Sequence, residues 1–185
     1  MKTESKNKQA WITKGYELVA ELGFDAVNIE LIGRLLNKNK SSFYHYFGEF
    51  SLYLQALHQW HISRSQEFAD NIDRCKNINP DLLNIALEYK HDIFFHKQLR
   101  LVRDKPLNAA TLQIAFDNYE KAVINQWAKF FGLENNLPFV STFIQFFTEN
   151  LLLKATFDTF TFQWLEQYIE DLSTMFHHFK PDHND

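Results

Sequence analysis

A 185-residue chain with 45% hydrophobic residues is long enough for one or two compact domains with a real core, and five Gly and four Pro exclude a turn-rich β fold. The net charge of −4 excludes a chain that is basic throughout, yet residues 1–55 hold seven Lys and Arg against six Asp and Glu, a balance of +1, which leaves −5 for the rest. Cys75 is the one cysteine, so an intrachain disulfide is excluded as well.

Residues 1–8 are polar and mildly basic. They lack the apolar run of a secretion signal and read as a flexible arm, with contact to DNA phosphates as the functional alternative. A first helix is predicted over residues 9–22, with Ile12, Tyr16, Val19 and Leu22 as its apolar stripe and Gly23 as its stop. Phe24 and Val27 close the joint to the next element. Two short helices follow. Asn28 caps the first, over 29–36, whose inward stripe is Ile29, Ile32 and Leu36. Asn37 tolerates the left-handed conformation that ends many helices, and Asn39 caps the second helix, over 40–47. Phe43 and Phe47 stand one turn apart and anchor that helix. Lys40, Ser41, Ser42, Tyr44 and His45 are left facing outward. Donors gathered at a helix N-terminus suit phosphate oxygens and base edges in a DNA major groove.

A long helix is predicted over 49–74, with Phe50, Leu54, Leu57, His61, Phe68 and Ile72 on one face. Residues 77–80 break it, and Pro80 opens the next helix, over 81–96. A short helix over 98–103 ends at Asp104-Lys105-Pro106. Asn108 caps a long helix to residue 131, stopped by Gly132. The last helices are predicted over 138–158 and 161–179, and the polar tail 180–185 is expected to be mobile. The most apolar stretch, 139–157, is interrupted by Gln145, Glu149, Asn150 and Lys154, which argues against a membrane span. A soluble, cytoplasmic protein is expected. Phe139, Phe143, Phe146, Phe147, Leu151 and Leu152 do not fit one narrow stripe, nor do Phe160, Phe162, Trp164, Leu165, Tyr168, Leu172 and Phe176. Helices apolar nearly all round need burial nearly all round, which predicts a partner surface.

The segment 28–47 resembles the helix-turn-helix of the tetracycline-repressor (TetR) family of transcription regulators. The likeness rests on Gly23-Phe24 after an amphipathic helix, on Ile32, and on the run Lys40-Ser41-Ser42-Phe43-Tyr44-His45-Tyr46-Phe47. It covers roughly residues 10–55. It implies a three-helix DNA-binding head, a helical ligand-binding and dimerisation body, and a four-helix interface made from the last two helices of each copy. It also implies that the long fourth helix links head and body mechanically. The chain departs from the family pattern at Leu36, Asn37, Lys38 and Ser41, and Phe50 replaces a lysine that commonly contacts a phosphate. Lys38 stands where the family has a valine between the two helices. Its stem can cover that apolar gap while its ammonium reaches solvent or a phosphate. Asn28, Lys38, Lys40, Ser41, Ser42, Tyr44 and His45 form the expected DNA-binding set.

Other chemistry is weakly supported. His58 and His61 stand three apart on a helix but lack a third ligand, and polar-face histidines are common. His177 and His178 are adjacent, hence on different faces. Glu88 and His91 make one Glu-x-x-His pair where a di-iron bundle needs two. With no phosphate loop or nucleophile elbow, no enzyme, metal or cofactor is expected. Cys75 reads as an inert thiol. The aromatic residues Trp60, Tyr89, Phe94, Phe116, Tyr119 and Trp127 read first as core, with a pocket for a hydrophobic or aromatic effector as the functional alternative. The resulting expectation is an all-α chain of about nine helices, with a DNA-binding domain over 1–50 and a ligand-binding and dimerisation domain over 51–185. Its function is expected to be that of a ligand-responsive repressor, a homodimer on palindromic double-stranded DNA. The alternative is a helical dimer that binds a hydrophobic molecule or a protein partner and reads DNA weakly or not at all.

Overall fold

The structure is a computed structural model that describes residues 2–72 and 74–179, with the side chains of 5–72 and 74–176. Among the described residues it holds nine helices and no strand. They are α1 (Lys2–Leu22), α2 (Ile29–Leu36), α3 (Lys40–Phe47), α4 (Phe50–Ile72), α5 (Leu83–Glu88), α6 (Lys90–Leu101), α7 (Pro106–Phe131), α8 (Leu137–Lys154) and α9 (Phe162–Phe179). A 3-10 turn, Phe24–Ala26, and a wide turn, Ile78–Leu82, complete the path. The all-α expectation holds, and no described helix is long and apolar enough to cross a membrane.

Several boundaries differ from the sequence expectation. α1 starts at Lys2, so the segment expected to be a flexible arm is helical. No Gly or Pro interrupts residues 2–14, and Lys, Glu, Gln and Ala there all favour a helix. Its buried side is built on Trp11, Tyr16 and Val19, whereas Leu22, assigned to the stripe, is 65% exposed. The helix expected over 81–96 breaks at Tyr89, whose backbone leaves the helical region. Tertiary packing explains the break. The Tyr89 ring is buried edge-on against Phe68, and its hydroxyl accepts a hydrogen bond from Asn71 Nδ2 at 2.6 Å. After that break α6 runs unbroken to Leu101, through the segment expected to be a separate short helix. α8 stops at Lys154 rather than at residue 158. Thr156 and Thr159 bond each other's hydroxyls and backbone, and this local pairing replaces the next helical turn.

The chain packs as two compact units. Unit 1 is Met1–Glu67 with His91–Asn118, and unit 2 is Phe68–Lys90 with Tyr119–Asp185. The sequence places a boundary after residue 50, whereas by packing most of α4, nearly all of α6 and half of α7 belong with the first three helices. Unit 2 has an aromatic core. Trp127 stacks on Phe131 with centroids 5.6 Å apart, and Phe131 meets Phe143 and Phe176. Trp164 stacks on Tyr168, whose hydroxyl donates to Asn150 Oδ1 at 3.0 Å. Burial pushes that phenol up to about 12. The predicted tail 180–185 and the side chains of His177 and His178 lie outside the described residues.

Candidate nucleic-acid interface

The α2–turn–α3 motif is built by local chemistry. The Asn28 side chain caps α2 by accepting from the Leu31 N–H at 2.8 Å. Asn37 takes the left-handed conformation at φ 52 and ψ 46. Its N–H and that of Lys38 bond back to carbonyls of the last turn of α2. The Asn39 side chain caps α3 by accepting from the Ser42 N–H at 2.9 Å. Gly33 permits the tight return of the chain, because a Cβ there would sit 2.9 Å from the Lys38 carbonyl oxygen and 3.4 Å from the Trp11 ring.

The inner side of α3 is fixed. Phe43 is fully buried, with its ring 5.3 Å from Trp11 and 5.1 Å from Tyr53, and Phe47 packs 4.9 Å from Tyr53. Tyr53, in turn, donates from its buried hydroxyl to the Trp11 carbonyl at 2.7 Å, and burial holds its phenol well above the ordinary range. Phe50 is half-buried against Tyr53 at 6.0 Å.

With that side anchored, Lys40, Ser41, Tyr44 and His45 are exposed on the outer side. Lys40 pairs with Glu30 at 3.0 Å, and this hydrogen bond is the main reason its ammonium is held above the ordinary lysine value. So exposed a pair is worth little in water. The other members of the expected set have partners inside the motif or on α1. Asn28 is a cap, and the Ser42 hydroxyl donates to the Asn39 carbonyl at 2.8 Å. Lys38 is half-buried and donates to Asn7 Oδ1 on α1 at 2.8 Å.

A buried polar network in unit 1 escaped the sequence reading. The Tyr16 hydroxyl lies 2.6 Å from His61 Nδ1 and 2.9 Å from Asp92 Oδ1. Arg64 holds both Asp92 oxygens at 3.0 Å and reaches Glu67 at 2.6 Å. His61 Nε2 faces His96 Nδ1 at 3.3 Å, and His58 Nδ1 lies 3.0 Å from the Thr111 hydroxyl. His58, His61 and His96 are 2%, 0% and 3% exposed, so His61 is buried with the apolar face of α4 on which the sequence put it, and His58 is not the ordinary polar-face histidine that the sequence suggested. Asp92 beside Ile93, Phe94 and Phe95 was the available signal, since a charged residue in an apolar run is buried only when paired. Among the described residues, no group of three or more His, Cys, Asp and Glu is arranged to hold a metal.

The six aromatic residues proposed for a pocket do not fall in one unit. Trp60, Phe94 and Phe116 belong to unit 1, and Tyr89, Tyr119 and Trp127 to unit 2. A cleft of about 270 Å³ lies in unit 2 between α8 and α9, bordered by Phe146, Asn150, Lys154, Asp171 and Met175, and none of the six lines it. Cys75 is buried and donates to the Asn77 carbonyl at 3.1 Å. Burial, with Asp81 nearby, pushes its thiol up and keeps it protonated. No family model, curated protein or solved structure matches the chain.

Proposed function

We propose that the chain is a DNA-binding transcription regulator that acts as a homodimer. The observation that carries the reading is α3, a helix whose Phe43 side is locked in the core while Lys40, Ser41, Tyr44 and His45 stand exposed beside a tight turn. A cation, hydroxyls and an imidazole on one exposed helix side match phosphate oxygens and base edges. The dimer is supported by α8. Phe139, Phe146 and Leu153 recur at seven-residue spacing and are 48%, 66% and 81% exposed. A heptad seam of this kind is what one helix presents to another.

The test is binding to random duplex DNA across a range of salt concentrations. A regulator of this kind loses affinity steeply as salt rises, and Lys40→Gln flattens the log–log slope by about one per recognition helix. A second reading, a helical dimer without DNA readout, is favoured by the protein partners of Lys38 and Lys40 and by the net charge of −4. It predicts a negligible salt slope and no effect of Lys40→Gln.

A further inference from the structure

The polar network of unit 1 ties four helices together, with Thr111 its member on α7. Tyr16 comes from α1, His58, His61 and Arg64 from α4, and Asp92 and His96 from α6. Its hydrogen bonds fix an order of protons. Asp92, held by Arg64, is the strongest acceptor, so the Tyr16 hydroxyl donates to it. His61 Nδ1 then carries a proton and donates to the Tyr16 oxygen, and His61 Nε2 accepts from His96 Nδ1. Every imidazole in this arrangement is neutral.

The geometry points to an acid-sensitive lock in unit 1: when His58, His61 and His96 take up protons, α4 is released from α1, α6 and the first half of α7. A proton added to His61 Nε2 would set two donors against each other across 3.3 Å. The charged groups around the network do not favour an extra cation: Glu67, the second carboxylate on Arg64, is half-exposed, where water screens it. Asp92 is already matched by Arg64, and Arg100 of α6 adds positive charge beside His96. From α7 the partner is the Thr111 hydroxyl, which carries no charge. Burial accordingly holds His58 down to about 4 and His96 to about 3, with Arg100 a second cause for His96. His61 is depressed by burial first, then by His96 and His58.

The sign follows from where protons bind. Above the ordinary imidazole value of about 6.5 neither folded nor opened unit 1 holds the protons. As the pH falls through that value the opened form takes them up and the folded form does not, so opening is favoured progressively. Ordinary carboxylates titrate near about 4, below this window. The test is hydrogen exchange of the full-length chain, read by mass spectrometry over residues 11–19 and corrected for intrinsic exchange. Between pH 6.5 and 5.5 the opening equilibrium should rise on the order of a hundredfold, with each imidazole contributing about fivefold. His58→Asn, which keeps a polar partner for Thr111, should reduce the rise to about thirtyfold on the same arithmetic. A rise of less than about tenfold in the natural chain, or an unchanged rise in the variant, overturns the proposal. If the variant does not fold, the imidazole carbon resonances of the natural chain decide. Three that stay neutral down to pH 5 support the lock, and titration of every imidazole near pH 6.5 overturns it.

Discussion

At the scale of single residues, the head is held by a few close approaches. A Cβ at Gly15 would lie 1.7 Å from the Tyr53 hydroxyl oxygen, the atom that donates to the Trp11 carbonyl. Gly15→Ala gains up to about 1 kcal/mol of helix propensity but must displace that buried ring. The net effect is expected to be a loss of about 1–3 kcal/mol, seen as a lower Tm, and Tyr53→Phe in the same chain should recover part of it. A stabilised Gly15→Ala would show that the ring yields without cost. On α3 the two sides should separate cleanly. Phe43→Ala is expected to cost about 3–5 kcal/mol in denaturant unfolding, because the ring is fully buried against the rings of Trp11, Tyr44, Phe47 and Tyr53. Tyr44→Phe and His45→Ala should leave the Tm within about 1 kcal/mol of the natural value and weaken DNA binding. Unaltered DNA affinity in both surface variants would remove α3 from the interface. The caps of this motif were legible because Asn28, Asn37 and Asn39 act through local geometry. The partner of Lys38 was not, because Asn7 is 31 positions away and lies in a segment that the sequence marks only as polar.

Element by element, what was legible depended on whether the cause was local. α2 and α3 follow from caps and apolar spacing. The break at Tyr89 and the early end of α8 do not, since one answers to Phe68 and Asn71 and the other to a Thr–Thr pairing. The aromatic excess of the last helices divides once the structure is known. Phe147 turns inward against Trp127 and Tyr168, while Phe146, its neighbour in sequence, stands 66% exposed. Phe147 and Trp164, two of the residues that fit no single stripe, are therefore not the sharpest positions for testing a partner surface. Phe146→Glu and Leu153→Glu change exposed positions and should leave the monomer folded while placing charge in the proposed seam. Sedimentation should find the natural chain as a dimer at micromolar concentration and each variant shifted toward the 22.0 kDa monomer. A natural chain that sediments as a monomer, or variants that dimerise as well as it does, would assign this side of α8 another role.

On the scale of the whole molecule, the helical class and the helix-turn-helix were legible from end to end, whereas the buried histidine network was not. Its members are scattered from Tyr16 to Thr111, and apart from Asp92, set in an apolar run, each looks ordinary beside its sequence neighbours. Only the fold brings them together. The central claim is that two copies of α3 read DNA as a pair. A dimer of such helices engages successive major grooves about one helical turn, roughly 10–10.5 base pairs, apart or at a multiple of that spacing. Selection of bound duplexes from a random DNA pool tests this most directly. The expected result is an enriched inverted repeat with half-sites at that spacing, lost when His45→Ala or Tyr44→Phe is selected in parallel. A pool that returns no enriched sequence, or one whose enrichment is indifferent to both substitutions, would contradict it.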